Sequence, residues 1–319
     1  MIHPVVSVTP KVKQLELFSS DISPQAAPLS FIDLFAGIGG VRLGFESIGG
    51  QCVFSSEWDK YAQKTYFDNY GHLPAGDIIQ INADDIPAFD LLLAGFPCQP
   101  FSQAGLKKGF EDTRGTLFFD IARIVEYHKP RVIFLENVRN LAGHDKGRTL
   151  QVILKTLEGL GYQVSYTLLN AKDFGVPQNR VRIYIVGFLK SKFKTDANFT
   201  SPKAPTPIKR LGDILEAEVD VKYTISDKLW AGHQRRRMEH KEKGNGFGYC
   251  LFNADSIYTS TISARYYKDG SEILIAQAGK NPRKLTPREA ARLQGFPEHF
   301  KITASDVQAY KQFGNSVAV

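Results

Sequence analysis

The sequence predicts an α/β fold, a doubly wound and mostly parallel sheet with a smaller inserted module, and three observations carry that prediction. From Phe31 onward, short apolar runs alternate with longer stretches of helical periodicity, the pattern of strands joined by crossover helices. The first run leads into a glycine-rich turn that opens a helix. After residue 188 the alternation stops at Pro202, Pro205 and Pro207, and a segment of different composition begins.

Residues 1–30 contain Pro4, Pro10, Pro24 and Pro28 without sustained periodicity and read as a flexible N-terminal extension. Strands are expected over 31–35, 52–57, 90–96, 131–137 and 181–188. Helical patterns follow the first four, among them 115–128 and 148–161. A main domain thus spans 31–205. Residues 206–283 read as the insert: a basic run from His233 to Lys243, the glycine-rich Gly-Asn-Gly-Phe-Gly-Tyr of 244–249, and a β-like stretch over 260–276. The chain returns to the main domain over 284–319 through a helix with a capping-box spacing, Thr286 to Glu289, and Pro287 at its first position.

With 319 residues and a 43% apolar fraction the chain has ample core, and 23% charge argues against wholesale disorder. Forty Lys and Arg against 33 Asp and Glu leave a net charge of +7, which permits a nucleic-acid partner without requiring one. No apolar run reaches membrane-spanning length and the start lacks a signal-peptide pattern, so no membrane contact and a cytoplasmic location are expected. Cys52, Cys98 and Cys250 suit neither a disulfide framework nor a metal site, and no metal is expected.

Four places carry candidate chemistry. The turn Phe35-Ala36-Gly37-Ile38-Gly39-Gly40 would let backbone approach a ligand and present helix N-terminal amides. A dinucleotide fingerprint would place Gly or Ala at position 42, where Arg stands, which counts against NAD and FAD. Glu57, 20 positions on from Gly37, is placed to take ribose hydroxyls; the same turn also reads as a tight packing turn. Cys98, clamped between Pro97 and Pro100 at a strand's carboxyl end and followed by a polar, glycine-containing loop to Arg114, fits a nucleophile. Glu136 ends an apolar strand at the same sheet edge, where desolvation would favour its neutral acid form; capping the next turn is the alternative. Arg180 and Arg182 share one face of a strand that runs back into the sheet.

Taken in order, Asp-Leu-Phe-Ala-Gly-Ile-Gly-Gly, Gly-Phe-Pro-Cys-Gln-Pro-Phe-Ser, Glu-Asn-Val, Gln-Asn-Arg-Val-Arg-Ile-Tyr, the 284–297 helix and Gly-Asn-Ser-Val resemble the DNA (cytosine-5) methyltransferase family from Phe31 to Val319. The resemblance implies the S-adenosylmethionine-dependent methyltransferase fold. It also implies a reaction in which Cys98 adds to carbon 6 of a flipped-out cytosine, Glu136 protonates ring nitrogen 3, Arg182 holds the carbonyl oxygen and Arg180 supports the site. S-adenosylmethionine would lie against Asp33, Phe35, Ala36, Gly37, Ile38, Gly39 and Gly40, with Glu57 on the ribose and Trp58, Asp77 and Ile78 around the adenine. Gly95, Pro97, Leu117, Asn315 and Val317 would complete the pocket, and S-adenosylhomocysteine would leave it. The family continues past Gly-Asn-Ser-Val into a helix that backs this pocket. The sequence ends at Val319, so either that wall is truncated or it is supplied otherwise, and cofactor affinity turns on which.

Double-stranded DNA is the implied partner of a monomer, with residues 206–283 as target-recognition domain. Gln99, Ser102 and Arg114 of the loop, Asn245 and Phe247 of the glycine-rich stretch, and Thr261, Arg265 and Lys268 are expected on DNA, the last two reading guanine edges. The basic run at 233–243 fits phosphate contact or a solvated helix face. Residues 244–249 and 261–275 resemble Dcm-type enzymes, acting on CCWGG, whereas HpaII-type enzymes, acting on CCGG, share the first stretch but much less of the second. A CCWGG or CCNGG target is therefore expected. A cognate restriction endonuclease is a possible partner. Gln14–Phe18 resembles the short peptide that docks on the replication sliding clamp, and also fits a short apolar patch. Two other readings are a tRNA cytosine-5 methyltransferase, against which the absence of its Cys-Phe-Thr signature speaks, and a catalytically silent DNA-binding regulator.

Overall fold

Mostly apolar runs make the central strands, with the ionisable Asp33 and Glu136 toward their carboxyl ends, and burial of those runs sets the sheet. The structure, a computed structural model, describes residues 28–97, 117–193, 199–204, 209–246 and 248–319. Cys98, Gln99, Ser102, Arg114, Phe247 and Gln14–Phe18 lie outside the described residues. Strands β1 (Ser30–Leu34), β2 (Gln51–Ser56), β3 (Leu91–Gly95), β4 (Val132–Val138), β5 (Tyr162–Asn170) and β6 (Val181–Leu189) form one sheet in the order β2-β1-β3-β4-β6-β5. The pairs from β2 to β4 are parallel, whereas β6 runs antiparallel to both β4 and β5.

Helices α1 (Gly40–Glu46), α2 (Lys60–Tyr70), α3 (Leu117–His128) and α4 (Arg148–Gly159) make the connections. In α3 the residues Phe118, Ile121, Ala122, Ile124 and Val125 are buried, a stripe at helical spacing that packs with Ile32, Leu92 and Ile133 of the sheet. Asp59 starts α2 by accepting from the amides of Tyr61 and Ala62, and Gly71, with φ 75°, stops it.

Strand β5 was not among the expected elements. Its apolar residues alternate with Gln163, Ser165 and Thr167 at an open sheet edge, and Tyr166 and Leu168 are exposed, so it lacks the continuous apolar run of a central strand. The inserted segment contains helix α5 (Asp227–Glu242) and a small sheet of β7 (Leu251–Phe252), β8 (Leu274–Gln277) and β9 (Lys280–Arg283). Of the β-like stretch expected at 260–276 only the last residues are a strand. Tyr266 is fully buried, its hydroxyl donating to the Ile273 carbonyl and accepting from the Leu285 amide, and this folds 264–269 into turns.

Helices α6 (Pro287–Leu293) and α7 (Asp306–Asn315) follow. The capping box forms as its spacing predicts, with Thr286 and Glu289 bonded reciprocally. Glu289, fully buried, is balanced by a two-pronged Arg283 pair at 2.7 and 2.8 Å. A second core joins Ile38 and Ala62 to Ile262, Tyr266, Leu285, Leu293 and Phe313, so residues from both sides of position 284 share one apolar cluster. Among the described residues no helix is long and apolar enough to cross a membrane.

Candidate active site

Strand direction explains why residues 46 positions apart meet. Glu136 lies near the carboxyl end of β4, level with Gly95 of β3, while β6 runs the opposite way and begins at that same edge, with Arg182 opposite Val138. Arg182 Nε therefore stands 3.0 Å from Glu136 Oε1, both side chains being largely buried. Burial pushes the Glu136 carboxyl above its ordinary range, and Arg182 and Arg180 pull it back only in part. The arrangement offers a carboxyl that holds a proton more readily than an exposed glutamate and is paired by Arg182 once it gives that proton up. Next to it, buried Asn137 donates to the Phe96 carbonyl at 2.8 Å and accepts from the Val138 amide at 2.8 Å. That bond pins the backbone two residues before Cys98. Asn137 belongs to the Glu-Asn-Val motif, and nothing in its local sequence marks this role.

The turn after β1 is held in an unusual backbone shape: Phe35, Gly37 and Gly39 have φ of 57°, 56° and 83°. Tyr70 donates to the Gly39 carbonyl at 2.8 Å, and its ring occupies the space that any side chain at Gly39 would need. Gly37, by contrast, faces open space. The amides of Ala36, Gly37 and Gly39 are engaged within the protein, so the turn presents fewer amides than its glycines suggest, and α1, seven residues long, adds little. Glu57 is fixed from both sides, Oε2 accepting from Gly37 at 2.8 Å and Oε1 from Asp59 at 2.7 Å. Each oxygen keeps a lone pair for a ligand hydroxyl.

Position 42 explains its own departure from the dinucleotide pattern. The Arg42 guanidinium is held by Glu46 at 2.7 Å, Tyr66 at 3.1 Å and His72 at 3.0 Å and stacks 4.2 Å from the Tyr70 ring centroid. A polar clamp thus fastens α1 to α2 where a dinucleotide site uses a small residue for close packing.

Asp33, on the face of β1 toward Arg42, is fully buried and neither of its oxygens has a hydrogen-bond partner. Burial raises its pKa from 3.8 to about 8, with Arg42 opposing and Glu57 and Glu46 adding. The folded state thus holds this proton more tightly than the unfolded chain. The stabilisation is complete below about pH 4 and lost as pH rises through about 8. Wild-type unfolding free energy is expected to fall across that window by up to about 1.4 kcal/mol per pH unit, and Asp33→Asn to remove that slope. Urea titrations at intervals from pH 5 to 9 measure it; an Asn variant with the wild-type slope would refute the assignment.

Other predicted positions sort clearly. Trp58 is 75% exposed beside Glu57. Asp77 accepts from the Ile79 amide and caps a short helical turn, and the Ile78 side chain is in the core, which leaves backbone rather than side chain to line a pocket there. Val317 lies close to both glycines: a side-chain carbon at Gly40 would lie 3.1 Å from it, and one at Gly95 would lie 4.0 Å from it and 3.5 Å from Glu136 Oε2. The structure thereby brings Gly40, Gly95, Val317 and Glu136 together, with Pro97 and Asn315 exposed and Leu117 half-buried. The orphaned Asp33 carboxyl, the open face at Gly37 and the fixed Glu57 carboxylate suit an adenosyl cofactor with a charged amino-acid tail.

Arg180 does not point at Glu136 as Arg182 does. It is 2% exposed and donates to the carbonyls of Ile262 at 3.2 Å, Gly314 at 3.2 Å and Ser316 at 2.5 Å. Arg265 and Lys268 are exposed on the 264–269 turn, Asn245 is exposed, and Thr261 donates to the Asn179 carbonyl at 2.6 Å. Within α5, Arg236 reaches Asp269 at 3.3 Å and Arg237 stacks 4.8 Å from the Tyr249 ring centroid, so part of the basic run is used in packing.

The family described as C-5 cytosine-specific DNA methylase matches residues 29–319. The chain is 66% identical over 292 residues to the Type II methyltransferase M.SsoII of Shigella sonnei, covering 90% of this chain and 76% of that protein. It is 48% identical over 327 residues to the Type II methyltransferase M.HpaII of Haemophilus parainfluenzae, covering 96% and 90%. Among solved structures, the Dnmt2 methyltransferase of S. pombe superposes with a TM-score of 0.73 over 91% of this chain and 94% of that one. At 23% identity that likeness speaks for the fold alone.

Proposed function

The chain belongs to the C-5 cytosine-specific DNA methylase family and is a DNA cytosine methyltransferase, and from that premise we propose that it methylates carbon 5 of one cytosine in a short double-stranded site. The observation that carries the residue-level reading is the buried Glu136–Arg182 pair at 3.0 Å, on the sheet edge that also holds the glycine turn, Gly95 and the backbone leading to Cys98.

Carbon 5 of cytosine is a weak nucleophile. The Cys98 thiolate forms a bond to carbon 6, the displaced ring electrons move toward nitrogen 3, and Glu136 delivers its proton there. The resulting carboxylate is paired by Arg182, which also donates to the Val181 carbonyl at 2.9 Å and would hold the cytosine carbonyl oxygen with a donor left over. The enamine so formed is nucleophilic at carbon 5. S-adenosylmethionine, held by the residues named below, would supply the methyl group to that carbon, with S-adenosylhomocysteine as the leaving product. Loss of the carbon 5 proton to water, expulsion of the Cys98 sulfur and return of the nitrogen 3 proton to the Glu136 carboxylate restore the aromatic ring. Attack on carbon 6 comes from above the ring plane, which requires the base to leave the helix stack.

Asp33, Phe35 to Gly40, Gly95 and Val317 would hold the methionine part, and Glu57 the ribose hydroxyls. Trp58, Asp77 and the backbone at Ile78 would frame the adenine. Residues 206–283 form the target-recognition domain in this reading, with exposed Arg265 and Lys268 reading guanines of a target that begins CC and ends GG around one central pair. Relatives named Type II methyltransferases favour a role in protecting host DNA from a cognate endonuclease, in the cytoplasm.

Bisulfite sequencing of host DNA from cells expressing the protein tests the proposal in one experiment. Methylation at CCWGG or CCNGG is the expected outcome, and CCGG would correct the target alone. Methyl transfer to tRNA with none to DNA would replace the DNA reading.

A further inference from the structure

A buried chain of side-chain amides connects the segment that precedes Arg265 to the segment that walls the glycine turn. The Ile262 amide donates to Gln178 Oε1 at 2.9 Å. Gln178 Nε2 donates to Gln294 Oε1 at 2.9 Å and to the Leu293 carbonyl at 3.0 Å. Gln294 Nε2 donates onward to the Phe313 carbonyl and, at 3.2 Å, to that of Ser316. Both glutamines are fully buried. A carboxamide has one accepting and one donating end, so reversing either glutamine would set like groups against each other, and the chain has one satisfied arrangement.

Arg180 spans the same gap, from the Ile262 carbonyl to those of Gly314 and Ser316. Gly314 packs directly on the backbone of Ser263 and Ala264, with no room for a side chain between them. On the DNA side the segment continues through Ser263, whose hydroxyl accepts from the Arg265 amide at 3.1 Å. On the cofactor side it continues to Val317, between Gly40 and Gly95.

We infer that Gln178, Gln294 and Arg180 are a positioning relay through which DNA docking on residues 261–268 and cofactor docking against residues 315–317 strengthen each other. The inference rests on the proposed function, which names those two ligands. Each ligand orders one end of a network that has a single satisfied arrangement, so less freedom remains to be lost when the other ligand orders the far end. The coupling is reciprocal by thermodynamic necessity.

Calorimetric titration of the full-length protein with S-adenosylhomocysteine, alone and with the duplex that bisulfite sequencing identifies, reads the coupling directly. The wild type is expected to bind S-adenosylhomocysteine about 5- to 100-fold more tightly with the duplex present. Gln178→Met and Gln294→Met keep side-chain length but cannot donate and accept only weakly. Each should bring the ratio to within about twofold of unity, and the double variant should do no more than either single one. Variants that melt like the wild type yet keep its ratio would overturn the relay.

Should these variants fail to fold, hydrogen exchange on the wild type decides. S-adenosylhomocysteine alone should slow exchange of the amides at 261–264, and duplex alone those at 313–317. Protection confined to each ligand's own contacts would overturn the relay. A wild type that methylates DNA without any coupling defeats this inference and leaves the proposed function standing, whereas absence of methyl transfer to DNA defeats that function itself.

Discussion

Cys98→Ala is expected to lower methyl transfer by a factor on the order of 10⁴ or more, because no other group can form the bond to carbon 6. The other two cysteines are poor substitutes. The Cys52 thiol is pushed up to about 11 by burial and sits on β2, bonded to the Phe54 carbonyl at 3.4 Å, well behind the glycine turn. Cys250 adjoins β7 of the small sheet, away from the edge where Gly95 and Glu136 meet. Duplex affinity should stay within a few-fold of the wild type, since recognition is assigned to residues beyond 206 and alanine removes only one sulfur. Incorporation of labelled methyl groups and a gel-shift titration on the same preparation measure the two halves of the prediction. A variant retaining a tenth of wild-type transfer would remove Cys98 from the reaction.

Much of this fold is legible in the sequence because burial on both faces leaves a plain mark. Leu91–Gly95 and Val132–Leu135 are nearly continuous aliphatic runs, and their neighbours place them at the centre of the sheet. An edge strand leaves a weaker mark, which is why β5, with a polar residue at alternate positions, escapes notice. The 264–269 turn is hidden for another reason. Tyr266 has the composition of a strand residue, and only tertiary contacts with Ile273 and Leu285 dictate a turn.

For the site, the types of Glu136, Arg182 and the glycine turn were readable, but their meeting was not. It depends on β6 running antiparallel beside β4, which no local pattern specifies. Gln178 and Gln294 were invisible for the same reason. Each reads as an ordinary polar residue, and only burial with three or more hydrogen bonds between them and distant backbone gives them a function. Arg180 shows the converse: its spacing with Arg182 suggested a shared target, whereas its guanidinium is committed to three backbone carbonyls.

Glu136→Gln carries the second large effect, and its pH dependence separates a proton donor from a mere hydrogen-bond donor. Gln keeps an N–H for ring nitrogen 3 but has no proton to surrender as charge develops, so the rate should fall by about 10²- to 10⁴-fold. Because burial raises the Glu136 pKa, with Arg182 opposing only in part, the wild-type acid stays protonated to higher pH than an exposed glutamate. Its activity limb therefore lies on the alkaline side: transfer declines as pH rises through the raised value, and the Gln variant should lack that limb.

At pH above the raised value, where wild-type Glu136 is ionised, the Gln variant also leaves Arg182 beside a neutral group in place of a carboxylate at 3.0 Å, a change expected to cost about 3 kcal/mol of stability on that alkaline side for a largely buried pair. Stability and chemistry must then be read separately. Single-turnover rates on pre-formed enzyme–DNA complexes from pH 6 to 9 give the chemistry, and urea unfolding gives the stability. Gln at wild-type rate, or a variant that keeps the alkaline limb, would show that ring nitrogen 3 receives its proton from elsewhere and that Glu136 serves only to hold Arg182.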